Sequence, residues 1–185
     1  MTIEEFKAAI VVIVDSRENR CASTLAGLSG MNVKFRVKKL SFADYTFEIY
    51  GKSYENKICI EKKNSFTEIA GCFVNNKRTR NRDRFKREFE RAVEAGAKVV
   101  LLIEDEKEKL LVRKAYDANK EMTPEQRQKG TWKSNLSANS LIASIASWKD
   151  RYNLDLVFTD KRKTAEEMLG KFYEYYEKEG GEGET

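Results

Sequence analysis

The sequence predicts a mixed α/β fold, in which helices flank a sheet of parallel and antiparallel strands. Short apolar runs alternate along the chain with segments whose apolar residues recur at helical spacing, as is typical of such folds. Two strand-like runs, 45–50 and 57–62, flank a polar, glycine-containing segment, which indicates a hairpin. The 185 residues contain no repeat and no linker, so we expect one domain over 1–179 and a disordered tail over 180–185.

The first half of the chain opens with a continuous apolar run, 8–15, which predicts a buried central strand. An alternating run, 33–40, predicts a second strand before the hairpin. After the hairpin, Ser65 and Glu68 have the spacing of a capping box and predict the start of a helix. Each strand therefore comes with its own local signal.

The second half continues the alternation of helices and strands. A long helix is predicted from Asn81 to Ala95, with Gly96 ending it. The apolar runs 97–105 and 154–159 predict two more buried strands, and apolar residues at helical spacing between them predict a further helix. Thr164, followed three residues later by a glutamate, predicts the cap of a last helix.

The chain contains no histidine, and this absence restricts its chemistry. It excludes Ser-His-Asp and Cys-His nucleophilic sites and histidine-ligated metals. The three cysteines form no CxxC pair, so neither a disulfide framework nor a zinc site is indicated. An enzyme with this composition has to rely on carboxylates, lysines and a hard cation.

The positive charge of the chain is concentrated in one segment, 77–91. This segment holds eight Lys and Arg against three Asp and Glu, which accounts for the whole net charge of +5. A local basic patch of this kind is typical of contact with nucleic-acid phosphates. The residues predicted to contact DNA are Lys77, Arg78, Arg80, Arg82 and Arg84. The alternative is a solvated helix face with internal ion pairs such as Asp83–Arg87.

The candidate chemistry lies at the open end of the predicted hairpin. Glu61 and Lys63 are two residues apart and therefore share one face of their strand. With a turn near 53–54, we place Asp44 opposite Lys63 and Thr46 opposite Glu61, at Cβ separations of about 5 Å. Two carboxylates and a lysine would then converge at one point.

Such a group suits a site for Mg²⁺, with Mn²⁺ as an alternative. Hard oxygen ligands hold a cation that keeps several waters and binds a substrate phosphate. The metal lowers the pKa of a bound water, and a nearby lysine orients that water or stabilises the transition state. The alternative is a surface ion pair across the hairpin, worth about 0–1 kcal/mol.

Short motifs in this sequence resemble those of a known nuclease superfamily. The pairs "AD" at 43–44 and "EKK" at 61–63 resemble the P-D…(D/E)-x-K signature of restriction-endonuclease-like nucleases. More narrowly, four fragments resemble, in order, those of the XPF family of structure-specific DNA endonucleases, over about 11–176. They are "VDSRE" (14–18), "LSFADY" (40–45), "IEKKNSFTE" (60–68) and "VVLLIED" (99–105).

The resemblance implies a restriction-endonuclease-like core, DNA as the partner and roles for individual residues. It implies an acidic metal site of Asp15, Asp44 and Glu61, with Lys63 as the catalytic lysine. It also implies a supporting shell around that site, which consists of Arg17, Glu18, Lys62 and Glu68. A homodimer is a further implication.

Three positions depart from the pattern of that family. Ala43 stands where the family has glycine, and Lys62 stands where it has arginine. Lysine keeps the charge but loses the planar fork that binds phosphate through two hydrogen bonds. Thr67 replaces the last aspartate of the motif, and the neighbouring Glu68 is expected to cap its helix with Ser65.

The sequence therefore predicts a Mg²⁺-dependent DNA endonuclease that acts on branched or flapped DNA, in repair or recombination. Two alternatives stay open: a catalytically inactive nuclease fold that binds DNA or serves as a scaffold, and a protein-interaction domain with a solvated basic helix. No apolar run is long enough to cross a bilayer, and the first fifteen residues lack the features of a signal peptide. We therefore expect a cytosolic protein without a membrane partner.

Overall fold

The computed structural model describes residues 1–74, 80–118, 123 and 136–180 and shows a mixed sheet between two layers of helices. The seven strands are β1 (Ile10–Asp15), β2 (Lys34–Lys38), β3 (Tyr45–Ile49), β4 (Lys52–Ser53), β5 (Ile58–Lys63), β6 (Lys98–Ile103) and β7 (Asp155–Phe158). Their spatial order is β2-β1-β3-β5-β6-β7, and the short β4 pairs with β3. β3 is antiparallel to β1 and β5, whereas the outer pairs are parallel. The predicted α/β fold with a mixed sheet is confirmed.

The helices match the predicted pattern except at the beginning of the chain. They are α1 (Ile3–Ala9), α2 (Ala22–Gly30), α3 (Phe66–Cys72), α4 (Asn81–Glu94), α5 (Glu108–Asp117), α6 (Ala138–Tyr152) and α7 (Thr164–Tyr175). A 3₁₀ turn (Lys161–Lys163) precedes α7, and a π-helical turn (Tyr176–Gly180) follows it. Two helices were not predicted from the sequence: α1, which Thr2 and Glu5 close in a capping box, and α2.

Two apolar cores lie on opposite faces of the sheet. One contains residues of α3, α4 and α6, where the rings of Phe85 and Trp148 stack with centroids 4.9 Å apart. The other contains residues of α1, α2 and α7, such as Phe6 and Phe172. Burying each of these side chains contributes about 1.5–3 kcal/mol, so both helical layers are firmly attached.

Strand β5 is covered on both faces, and all six of its residues are buried. Cys59 belongs to the core under α3 and α4, whereas Ile58 and Ile60 belong to the opposite core. The alternation of apolar and polar residues along 57–62 predicts a half-buried strand with one polar face, and this prediction was wrong because helices pack on both sides of it. Glu61 and Lys63 are therefore buried groups, and the alternative of a surface ion pair does not apply.

The hairpin register differs from the predicted one by two residues. Tyr45 pairs with Ile60, which brings Asp44 level with Glu61 rather than with Lys63. The reversal occurs at Tyr50 and Gly51, both with positive φ, rather than near 53–54. Because the shift is an even number of residues, every side chain keeps its predicted face.

The second half of the chain agrees with the prediction, with one correction. Helix α4 ends before Gly96, whose φ of +78° suits glycine, and β6 and β7 follow as expected. Thr164 does not cap the last helix, because it lies inside α7 and its hydroxyl donates to Glu104 Oε1 (2.8 Å). Asp160 instead caps the preceding 3₁₀ turn by accepting from the Arg162 amide. None of the helices in the described parts of the chain combines the length and apolar character that a bilayer crossing requires.

Candidate active site

Asp44 lies beside the end of β5, and the backbone of the residue before it is strained. Ala43, immediately before Asp44, has φ +58°, a left-handed conformation that disfavours residues with a Cβ. The Asp44 amide donates to the Ile60 carbonyl (3.0 Å), and Asp44 Oδ2 accepts from the Lys62 amide (2.8 Å). Two backbone contacts with β5 therefore fix the position of this carboxylate.

Glu61 and Lys63 form a buried ion pair on the same face of β5. The Lys63 Nζ atom lies 2.5 Å from Glu61 Oε1, and the two side chains are 9% and 6% exposed. Lys63 also donates to the Lys62 carbonyl (3.2 Å), and its ammonium lies 5.1 Å from the centre of the Phe85 ring. A lysine held by a carboxylate, a carbonyl and an aromatic face has a defined position.

The charge of Glu61 perturbs the pKa values of both Asp44 and Lys63. Burial raises the pKa of Asp44 well above its ordinary value, and the negative charge of Glu61 raises it further. Burial lowers the pKa of Lys63, but the charges of Glu61 and Asp44 outweigh this effect and hold it above its ordinary value. The structure thus brings Asp44, Glu61 and Lys63 together, and Lys63 is an ammonium at neutral pH.

Asp15, the fourth predicted catalytic residue, is occupied by other partners. Its Oδ1 accepts from the Arg17 amide (2.7 Å) and Nε (2.8 Å), and its Oδ2 accepts from Arg17 Nη2 (2.7 Å) and the Leu40 amide (2.8 Å). Burial raises the pKa of Asp15, but these hydrogen bonds outweigh burial and hold it below its ordinary value. Asp15 therefore anchors Arg17 at the end of β1, and its role as a metal ligand stays a prediction.

Lys62 points away from Lys63, into the opposite core. Its side chain is fully buried, and its Nζ donates to the Arg20 carbonyl (3.0 Å) and to Asn64 Oδ1 (2.9 Å). Glu104 Oε1 lies 3.8 Å from the same ammonium. Lys62 thus ties the loop between β1 and α2 to the ends of β5 and β6. Its predicted role in the supporting shell stays a prediction, and its fully buried side chain is out of reach of a DNA phosphate.

The remaining supporting residues lie around the start of α3. Glu68 Oε2 accepts from the backbone amide (3.0 Å) and side-chain amide (2.8 Å) of Asn64, while the Glu68 amide donates to Ser65 Oγ (3.3 Å). Burial raises the pKa of Glu68, but the hydrogen bonds from Asn64 outweigh it. Glu18 Oε1 accepts from the Arg20 amide (2.5 Å), and its charge adds to the raised pKa of Asp44. The predicted capping box is thus only half formed, because Ser65 caps the helix while Glu68 accepts from Asn64 rather than from the Ser65 amide.

The predicted DNA-binding segment is only partly described. Arg80, Arg82 and Arg84 are exposed at the start of α4. Arg84 is close enough to the site for its charge to lower the pKa values of Cys72 and Glu88 against the larger effect of burial. Lys77 and Arg78 lie outside the described residues. The exposed arginines lead from the start of α4 towards the acidic site.

Sequence reasoning missed one acidic residue at this site, Glu88 of α4. It lines a small cleft together with Glu61, Ala43, Phe89, Ala92 and Val99. Burial raises the pKa of Glu88, and the charge of Glu61 raises it further. A signal was available in the sequence, because Glu88 lies one residue before Phe89 and therefore borders the buried face of its helix.

The donor set suits a hard cation that keeps part of its hydration. Asp44 and Glu61 offer carboxylate oxygens, and the pKa of Asp44 is raised first by burial and then by the charge of Glu61, which a cation would offset. Within the described residues, no three Asp, Glu, Cys or His side chains are grouped to hold one ion, and the metal site of Asp15, Asp44 and Glu61 stays a prediction. Mg²⁺ is commonly bound through one or two carboxylates plus waters, and this pair fits that requirement.

The mixed sheet, its two helical layers and the acidic site where β3 begins and β5 ends define an α/β domain of the nuclease type. The sequence model of the ERCC4 domain matches residues 14–172, and the chain belongs to this family. The resemblance to XPF nucleases that the four motifs indicate is thereby confirmed. Comparison with curated proteins gives no match.

Solved structures of an archaeal protein share the fold. XPF from Aeropyrum pernix is 19% identical, with a TM-score of 0.59 over 92% of this chain and 67% of that one. The same protein in complex with DNA is 20% identical, with a TM-score of 0.56 over 89% of this chain and 64% of that one. The present chain thus spans about two thirds of the length of these relatives.

Proposed function

We propose that this domain is a Mg²⁺-dependent DNA endonuclease that hydrolyses phosphodiester bonds in branched or flapped DNA. The observation that carries the proposal is the convergence of Asp44, Glu61 and Lys63 on one buried face at the end of β5. The two carboxylates repel each other, and the one lysine offsets only part of their charge. Such a group suits a site that binds a cation. Membership of the ERCC4-domain family supports nuclease chemistry.

In this proposal each of the three side chains has a distinct task. Asp44 and Glu61 hold the cation at the end of the sheet. Bound Mg²⁺ supplies a water of lowered pKa and positive charge beside the phosphate. Lys63 carries a proton at neutral pH, because Glu61 and Asp44 raise its pKa. It therefore acts as a hydrogen-bond donor that orients the water or stabilises the phosphate oxygens, and not as a general base.

The DNA would approach across the N-terminal part of α4. Arg80, Arg82 and Arg84 are exposed there and can neutralise phosphates without reading bases. A relative with this fold has been solved in complex with DNA, which supports DNA as the partner. Neither the branched substrate nor the homodimer follows from the geometry. Both stay predictions, and sedimentation equilibrium tests the second.

Cleavage assays on a panel of substrates test the proposed function. The purified chain is incubated with labelled single-stranded, duplex, flap and four-way DNA, and with a matched RNA duplex, in Mg²⁺ or in EDTA. We expect cleavage of the flap or four-way DNA in Mg²⁺ and none in EDTA. Binding of DNA without cleavage of any substrate in Mg²⁺ or Mn²⁺ would instead identify a catalytically inactive DNA-binding module.

A further inference from the structure

Glu88 faces the candidate site from a different element than the predicted residues do. It lies in the middle of α4, and it shares its cleft with Glu61 of β5 and with Ala43, the residue before Asp44. Arg17, which is hydrogen-bonded to Asp15, also lies close enough to Glu88 for the charge of Glu88 to raise the pKa of Arg17. The acidic site is therefore bordered by a helical carboxylate as well as by the two strand carboxylates.

Glu88 has no direct partner among the described residues, since none hydrogen-bonds to it or lies within ion-pair distance. The charges of Lys63, Arg84 and Arg91 lower the pKa of Glu88 from a longer range, but burial and the charge of Glu61 outweigh them. By contrast, the nearby Glu90 forms an ion pair with Lys86 (3.3 Å) on the surface of the helix. Glu88 is thus half-buried beside another carboxylate.

A half-buried carboxylate that faces a second carboxylate destabilises the fold unless a cation offsets their charge. The positive group already present, Lys63, is bound to Glu61 at 2.5 Å. Glu88 therefore adds negative charge that no described group pairs with directly and that Lys63, Arg84 and Arg91 offset only in part. Such an arrangement costs stability in the metal-free chain and increases the attraction of the site for a divalent cation.

We propose that Glu88 is a third carboxylate of the cation site and acts on the water shell of the bound ion. This inference rests on the proposed function, because it assumes that Asp44 and Glu61 hold the ion. An indirect contact fits the absence, within the described residues, of three grouped ligands, and Mg²⁺ characteristically keeps several of its waters. Groups that contact a metal through its outer shell commonly change its affinity by 10–100-fold.

Calorimetric titration of the full chain with Mn²⁺, alongside thermal unfolding in EDTA, tests this inference. For Glu88→Gln we expect about 10-fold weaker Mn²⁺ binding and a metal-free Tm about 2 °C above that of the wild type. A lower Mn²⁺ affinity together with a higher Tm distinguishes a cation-binding role from a structural one, because loss of a packing residue would lower the Tm. The matched control is Glu90→Gln, which removes the same charge from the outer face of α4 and should leave Mn²⁺ affinity within about 2-fold.

The outcomes also separate this inference from the proposed function. A wild-type chain that binds Mn²⁺ together with a Glu88→Gln chain that binds it equally well would overturn the role of Glu88 alone. A fall in Mn²⁺ affinity that Glu90→Gln reproduces would also overturn it, since only general charge would be involved. A wild-type chain with no saturable Mn²⁺ site would remove the proposed function and this inference with it.

Discussion

The ammonium of Lys63 lies 2.5 Å from Glu61 Oε1, and both side chains are nearly excluded from solvent. Both belong to a strand that helices cover on its two faces, so neither charge can be compensated by bulk water. Asp44 adds a second negative charge, which raises the pKa of Lys63. The contribution of each of these three charged groups to the stability of the fold therefore depends on the other two.

This coupling predicts a strongly non-additive pair of substitutions. Lys63→Met alone should lower the free energy of unfolding by about 3–5 kcal/mol, because it leaves Glu61 buried without its partner. The double variant Glu61→Gln/Lys63→Met should recover most of this loss, since a neutral buried pair needs no counter-charge. Urea unfolding in EDTA at pH 7 measures both values. Additive losses in the double variant would contradict the coupling.

The hydrogen bonds to Asp15 predict a pH-dependent contribution to stability. A carboxylate whose pKa is depressed by folding stabilises the fold above its unfolded pKa of about 3.9, and this stability is lost as the pH falls through the folded pKa. Asp15→Asn should therefore cost about 1–3 kcal/mol at pH 7, and the difference from the wild type should shrink below about pH 3.9.

Unfolding in EDTA across pH 2–7 measures that difference. Asp150→Asn is the control, because Asp150 is exposed and should change stability by no more than about 0.5 kcal/mol. A gap between Asp15→Asn and wild type that stays constant down to pH 2 would show that ionisation of Asp15 is not its cause.

The left-handed backbone at Ala43 predicts a stabilising substitution. Glycine relieves a strain of about 1–2 kcal/mol at φ +58° but adds about 0.4–1 kcal/mol of unfolded-state entropy. Ala43→Gly should therefore raise the free energy of unfolding by about 0.5–1 kcal/mol, as urea unfolding would show. The same change at Ala95, which is exposed and has φ −76°, should not stabilise the chain. A loss of stability in Ala43→Gly would argue against strain at this position.

The placement of the basic residues predicts which of them affect DNA binding. Arg84→Ala should weaken binding and reduce the slope of log K against log salt by about 1, because one phosphate contact is lost. Lys62→Met should leave that slope unchanged, because the Lys62 side chain is fully buried. Fluorescence anisotropy at several salt concentrations measures both slopes. A lower slope for folded Lys62→Met would contradict the assignment of Lys62 to the core.

Local patterns in the sequence predicted the strands and the face on which each charged residue lies. Alternation along β5 placed Glu61 and Lys63 together, because side-chain direction depends only on the pleat of the strand. The same alternation predicted that one face of β5 is exposed to solvent, and this prediction was wrong. Helices α3 and α4 follow β5 in sequence, and nothing in the six residues of the strand indicates that these helices pack over it.

The register and the site membership depended on features with weaker local signals. Tyr50 adopts a positive φ beside Gly51, and a tyrosine in that conformation is unusual, so the turn was placed too late. The alternation puts Lys62 on the face of Ile58 and Ile60, but its full burial could not be predicted without knowing that Glu104 and the Arg20 carbonyl lie there. Glu88 was missed because it is one of several acids in a helix rich in Lys and Arg, where each acid looks like a solvated ion-pair partner.

The most direct test of the account is the behaviour of Asp44→Asn in two assays on the same preparation. Burial and the charge of Glu61 raise the pKa of Asp44, so its ionised form destabilises the metal-free fold at neutral pH. The variant should therefore unfold in EDTA at or above the wild-type Tm, while Mg²⁺-dependent cleavage of flap DNA falls at least about 100-fold. Cleavage by Asp44→Asn at the wild-type rate would contradict the account, because the carboxylate assigned to the cation would then be dispensable.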